Sequence, residues 1–115
     1  MKMSETTPVD RSQRMTLDGT PLGEEREIDT ATGMQRDYVV LTDEERAKGF
    51  VRQVRRSYVH TTCGTMTTMG VKLAETYARD PGFYSATFCV KCKGHFPVGA
   101  SGEFTWEGST EKVGT

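Results

Sequence analysis

A small α+β domain, preceded by a disordered acidic tail, is the fold class the sequence predicts, and three observations point to it. The first is a pair of short hooks, His60-Thr-Thr-Cys63 and Cys89-Val-Lys-Cys92, which together use all three cysteines of the chain. The second is a single amphipathic stretch between the hooks. The third is a sharp change of composition near residue 37. In the hooks, a two-residue gap lets one tight turn aim two side chains at a common point, and two such pairs supply the four ligands a tetrahedral zinc ion takes. A zinc-ribbon-like domain follows over residues 37–106, with two knuckles, an intervening helix and a C-terminal β-hairpin. Residues 107–115 read as a polar C-terminal tail.

Residues 1–36 are rich in Gly, Pro, Thr and charge, contain no aromatic residue, and scatter their apolar side chains too widely to make a face. An acidic disordered or extended segment is expected there. The alternative is that part of it, around Ile28 to Met34, docks on the folded domain or on a partner. Tyr38-Val-Val-Leu41 is a short β-type run, and Thr42-Asp-Glu-Glu45 follows as a capping box that opens a brief helix ended by Gly49. Phe50 to Val59 mixes β-branched and aromatic residues with arginines and reads as an extended segment leading to His60.

Between the hooks, Thr67 or Thr68 caps a helix that runs to about Arg79. Met69, Leu73 and Tyr77 fall four apart with Ala74 and Ala78 alongside, which gives one apolar face. Asp80-Pro-Gly82 stops it. Phe83 to Phe88 then extends into the second hook, and Phe96-Pro-Val98 is expected to pair with Glu103-Phe-Thr-Trp106 across the turn at 99–102.

The ligand set is read as His60, Cys63, Cys89 and Cys92. His95, three residues past Cys92, is the competing fourth ligand, but it would have to fold back across the knuckle turn. Gly94 and Gly64 are candidates for the positive φ that a knuckle needs beside its sulfurs. Buried thiols beside a satisfied histidine, or a redox Cys-x-x-Cys, are the other readings; the βαβ context of the redox reading is missing. A catalytic zinc needs an open position and a nearby acid or base. The deaminase signature fails on both sides, since Thr62 stands two after His60 and Phe88 precedes Cys89. A non-enzymatic, structural ion is the expectation.

The charges are unevenly placed. Residues 1–45 carry five Lys/Arg against eleven Asp/Glu, and residues 46–115 carry ten against five. The halves therefore differ by sign, about −6 and about +5. An odd cysteine count argues against a disulfide framework, and no apolar run is long enough for a membrane span or a signal-peptide core. A reducing cytoplasm suits the thiols.

The stretch Glu45-Arg-Ala-Lys-Gly-Phe-Val-Arg52 with Arg55-Arg-Ser-Tyr-Val-His60, and more strongly Cys63-Gly-Thr-Met-Thr-Thr-Met-Gly70, Leu73 to Tyr84, Thr87-Phe-Cys-Val-Lys-Cys92, His95-Phe-Pro-Val98, Gly102-Glu-Phe-Thr-Trp106 and Val113-Gly-Thr115, resembles a family of small uncharacterised zinc-ribbon-like proteins of tailed bacteriophages and prophage-bearing bacteria. The resemblance covers roughly the last 80 residues. Some members carry a long insertion between the positions of His60 and Cys63, which this chain lacks. The resemblance implies a phage setting, a bacterial host cell and a zinc-held fold; it brings no activity with it.

Two functions are expected of such a chain. One is a protein-interaction module with a phage or host protein as partner. The alternative is nucleic-acid binding by the basic segment 46–56, through Arg46, Lys48, Arg52, Arg55 and Arg56 with Lys91 and Lys93, and with Tyr58 or Phe50 as stacking residues.

Overall fold

The computed structural model describes residues 8–115. The order is β1 (Arg14–Thr16), β2 (Val39–Leu41), α1 (Asp43–Arg46), β3 (Ser57–His60), β4 (Met66–Thr68), α2 (Val71–Arg79), β5 (Ala86–Cys89), β6 (Gly94–Pro97) and β7 (Phe104–Trp106). All strand pairings are antiparallel, in three small sheets: β1-β2, β4-β3-β7 and β5-β6. The architecture is α+β, with more sheet than helix.

Alternation on β3 sets the core. Tyr58 and His60 point inward, where they face Trp106 and Phe104 of β7. Tyr58 meets both aromatic rings edge-on, at 5.3 Å from Phe104 and 6.3 Å from Trp106, the geometry that sets a positive ring edge against a negative face. Helix α2 closes this core with Ala74 and Tyr77, and Met69 joins them from the turn before it. The predicted apolar face is therefore the buried one. Its start differs: Met66–Thr68 pairs with β3 as a strand, and the helix begins after Gly70, with no side-chain cap. β-branched threonines suit the strand, and tertiary pairing outweighs their capping ability here. The helix ends at Asp80 as expected.

Three other expectations are corrected. The C-terminal hairpin does not form as such, because β6 pairs with β5 and β7 with β3. Only a turn links them, with the Glu103 amide donating to the Pro97 carbonyl at 2.9 Å. The C-terminal residues are not a free tail: Val113 is fully buried, donates to the Phe104 carbonyl and accepts from Gly99.

The described part of the N-terminal segment is not disordered either. Strand β1 pairs with β2, placing Met15 opposite Val40. Gly33, inside the Ile28 to Met34 stretch, lies so close to the second knuckle that a Cβ there would clash with the Lys93 carbonyl. Composition missed this because the anchoring is mainly polar. The Pro8 carbonyl and the Asp10 amide both reach a buried ion pair between Glu45 and Arg79, 3.1 Å apart, and Arg11 forms a two-pronged pair with Asp80 at 2.6 and 2.9 Å. Residues 1–7 of the expected tail lie outside the described residues.

The capping box is half present. The Thr42 hydroxyl accepts from the Glu45 amide at 3.3 Å, but the Glu45 carboxylate turns into the core, and the Thr42 amide bonds the Gln13 carbonyl instead. The Asp10 amide, then Lys48 and Arg79, hold the Glu45 carboxyl down at about 2 against its burial.

Candidate metal centre

Each hook occupies the turn of a β-hairpin, and the two turns are alike. His60 ends β3 and Cys89 ends β5; Cys63 and Cys92 sit three residues on, within the turns. Directly after the second donor of each hook comes a residue with positive φ, Gly64 at 76° and Lys93 at 55°. Its amide returns to the carbonyl of the first donor, Gly64 to His60 at 2.7 Å and Lys93 to Cys89 at 2.8 Å. Gly64 thus has the expected conformation. In the second knuckle that role falls to Lys93 and not to Gly94, which begins β6. A lysine in this region of backbone space costs about 1 kcal/mol or more.

The four donors converge. The Cys63 sulfur lies 3.5 Å from His60 Nδ1 and 3.6 Å from the Cys89 sulfur; the Cys92 sulfur lies 3.6 Å from His60 Nδ1. All four lie within 4.8 Å of one another. Donors at the corners of a tetrahedron with zinc-type bonds of about 2.0–2.3 Å stand roughly 3.5–3.8 Å apart. Three of the observed separations match that spacing, so these residues can hold a metal ion.

The surroundings prepare His60 for that role. Its Nε2 meets Glu103 Oε1 at 2.7 Å, and the ring is stacked between Phe96 at 4.6 Å and Phe104 at 4.7 Å. Donation from Nε2–H to the carboxylate leaves the Nδ1 lone pair facing the sulfurs, and a carboxylate behind a histidine makes it a better ligand. Burial lowers the imidazole pKa, but Glu103, Cys63 and Cys89 outweigh it, so the net shift is upward. The thiols respond unequally. Chiefly through the Thr65 amide, Cys63 is brought down to about 6, whereas burial and then the neighbouring sulfurs push Cys92 up to about 11. Crowded thiolates repel, and a divalent cation among them relieves that repulsion.

His95 is placed elsewhere. Its Nε2 contacts the Tyr38 hydroxyl at 3.0 Å, and burial lowers its pKa. His60→Ala is accordingly expected to lose stoichiometric metal and most of the domain's stability. His95→Ala should cost about 1 kcal/mol, the worth of one hydrogen bond. Chelator competition and thermal melts on the two variants check this; equal losses would refute the assignment.

Sequence reasoning missed Glu103, Phe96 and Phe104 as supports of the site. They reach it through strand pairing, with Glu103 43 residues from His60, and no local spacing signals such a contact.

Most of the basic residues named above are engaged by partners within the fold. Arg46 is buried and bonded to Asp43, Glu75 and the Leu41 carbonyl. Arg55 lies over the Trp106 ring at 4.8 Å and pairs with Glu111. Lys48 pairs with Glu45 and Arg52 bonds the Thr115 carbonyl. Arg56 holds the Met69 carbonyl from an exposed position, and Lys91 and Lys93 are exposed on the second knuckle. Tyr58 is buried and unavailable for stacking, while Phe50 is exposed. Among the described residues no helix is long and apolar enough to cross a membrane.

No family model, curated protein or solved structure matches the chain.

Proposed function

We propose that this protein is a non-enzymatic interaction module stapled by one structural zinc ion, phage-encoded, and acting in the bacterial cytoplasm on a phage or host protein. The observation that carries the reading is the convergence of one Nδ1 and three sulfurs within 4.8 Å of one another, with three of the separations at 3.5 to 3.6 Å. Three soft sulfurs and an imidazole suit zinc, and four donors complete its tetrahedron. The Glu103 carboxylate is engaged with His60 and orients a ligand. The ion's work is then to fasten two hairpins, leaving the outer surface for recognition. Nucleic-acid binding draws less support, because Arg46 and Arg55 are committed within the fold.

Elemental analysis and native mass spectrometry of protein purified without added metal test the reading. One zinc per chain is expected, with weak DNA binding that vanishes by physiological salt. Absence of zinc would overturn the staple. Micromolar DNA binding at physiological salt, lost in Arg55→Ala/Arg56→Ala, would restore the nucleic-acid alternative.

A further inference from the structure

A groove of about 720 Å³ runs between the N-terminal segment and the sheets, floored by Leu73, Tyr77, Tyr84 and Phe88. Two strand edges open onto it. On either side of β4, the Met69 amide bonds the Arg56 carbonyl and the His60 amide bonds the Thr65 carbonyl, so along this stretch the backbones of the odd-numbered residues face β3. The N–H and C=O of Thr68 therefore point away from the sheet, in a strand that ends its sheet order. By the same parity, the Val98 amide bonds the Ser85 carbonyl, and Ala86 of β5 turns its backbone away from β6. Thr68 and Ala86 both line the groove. An exposed edge above an apolar floor is what an added strand occupies: main-chain bonds provide affinity and alternate side chains enter pockets.

Charge indicates the occupant. The lining residues include Arg11, Arg14 and Arg26 against one carboxylate, Glu25. Arg11 is held by Asp80, and Glu25 is buried and accepts from the Gly23 amide. Arg14 is exposed at the rim, and Arg26, though 4.0 Å from the Glu25 carboxylate, keeps most of its side chain exposed there.

We infer that this groove takes an extended acidic peptide, which adds as a strand along β4, sets apolar side chains on the aromatic floor and meets Arg14 and Arg26 with its carboxylates. The inference rests on the interaction-module reading and names the partner's chemistry.

The test uses the full-length zinc-loaded protein and two fluorescein-labelled ten-residue probes, one alternating Glu with Val and one alternating Lys with Val. Fluorescence polarisation at physiological salt should show micromolar binding of the acidic probe and at least tenfold weaker binding of the basic one. Arg14→Glu/Arg26→Glu should weaken the acidic probe at least tenfold. Thr68→Pro should do the same, since it deletes an outward N–H and, apart from one exposed hydroxyl contact with Ser57, leaves the pairing with β3 and its backbone ladder intact. Zinc content and melting temperature should be unchanged in both variants, which separates loss of the groove from loss of the fold. Equal binding of the two probes, or variants that bind like the parent, would overturn the inference. So would a homodimer, seen by sedimentation, that Thr68→Pro dissolves. Should the groove fail while the zinc-loaded protein still captures a partner from bacterial cells, the module reading survives without it.

Discussion

Cys89→Ser is expected to abolish stoichiometric zinc binding and to unfold the domain. Cys89 is fully buried, ends β5, and lies 3.6 Å from the Cys63 sulfur while accepting from the Cys92 amide. Zinc binding in such scaffolds is worth about 10 kcal/mol or more, comparable to the whole stability of a domain this size. The core alone is modest, a cluster of eight buried residues centred on Tyr58, Tyr77 and Trp106, so little remains to hold the hairpins together. Far-ultraviolet circular dichroism and metal analysis of the variant, beside parent protein treated with a strong chelator, should show the same loss. A folded Cys89→Ser protein with the parent's melting temperature would mean that the core suffices and the metal is incidental.

Deletion of residues 1–36 is the second large effect, and here composition and structure disagree. Composition predicts a tail whose removal leaves the domain intact. Strand β1 instead covers β2, whose Val40 and Leu41 are fully buried. Uncovering side chains of this kind costs about 1.5–3 kcal/mol each. Truncation also strips Glu45 of the Asp10 amide and Asp80 of its Arg11 partner. A loss of about 3–5 kcal/mol is expected, read as a lower urea midpoint. The acid limb should change as well. A carboxyl held down at about 2 from its ordinary 4.5 adds stability that is fully present above the higher value and is lost as pH falls through the lower. Without the Asp10 amide the folded-state pKa rises, so this contribution shrinks and acid unfolding begins at a higher pH. An unchanged urea midpoint after truncation would show that β1 adds nothing.

What could be read in the sequence was whatever depends on neighbours along the chain. The two-residue gaps of the hooks, the four-residue spacing of Leu73 and Tyr77, and the stop at Asp80-Pro81 are local, and the structure places each where the spacing put it, whereas Met69 lies just before the helix it was expected to open. Contacts between distant residues could not be read. The pairing of Tyr58 with Trp106, the support of His60 by Glu103 and the capture of residues 8–16 by Glu45, Arg79 and β2 depend on which strands meet. The basic segment shows the same limit. Arg46 and Arg56 look alike in sequence, yet one lies in the core and the other at the surface, because a helix and an extended segment aim them differently.

The lengths of chain enclosed by each contact rank the parts of this fold by the entropy of closing them. The two hairpin turns enclose only residues 61–64 and 90–93, so each half of the donor set is preorganised at small entropic cost. A metal joining the halves encloses residues 64–88, part of which α2 already spans as a rigid rod. The β1-β2 ladder must close residues 17–38, and the β3-β7 ladder residues 61–103. Closure entropy rises only logarithmically with length, but each closure made first shortens the effective loop of the next. With the hairpins clasped, β7 returns to β3 across a chain already gathered at its middle.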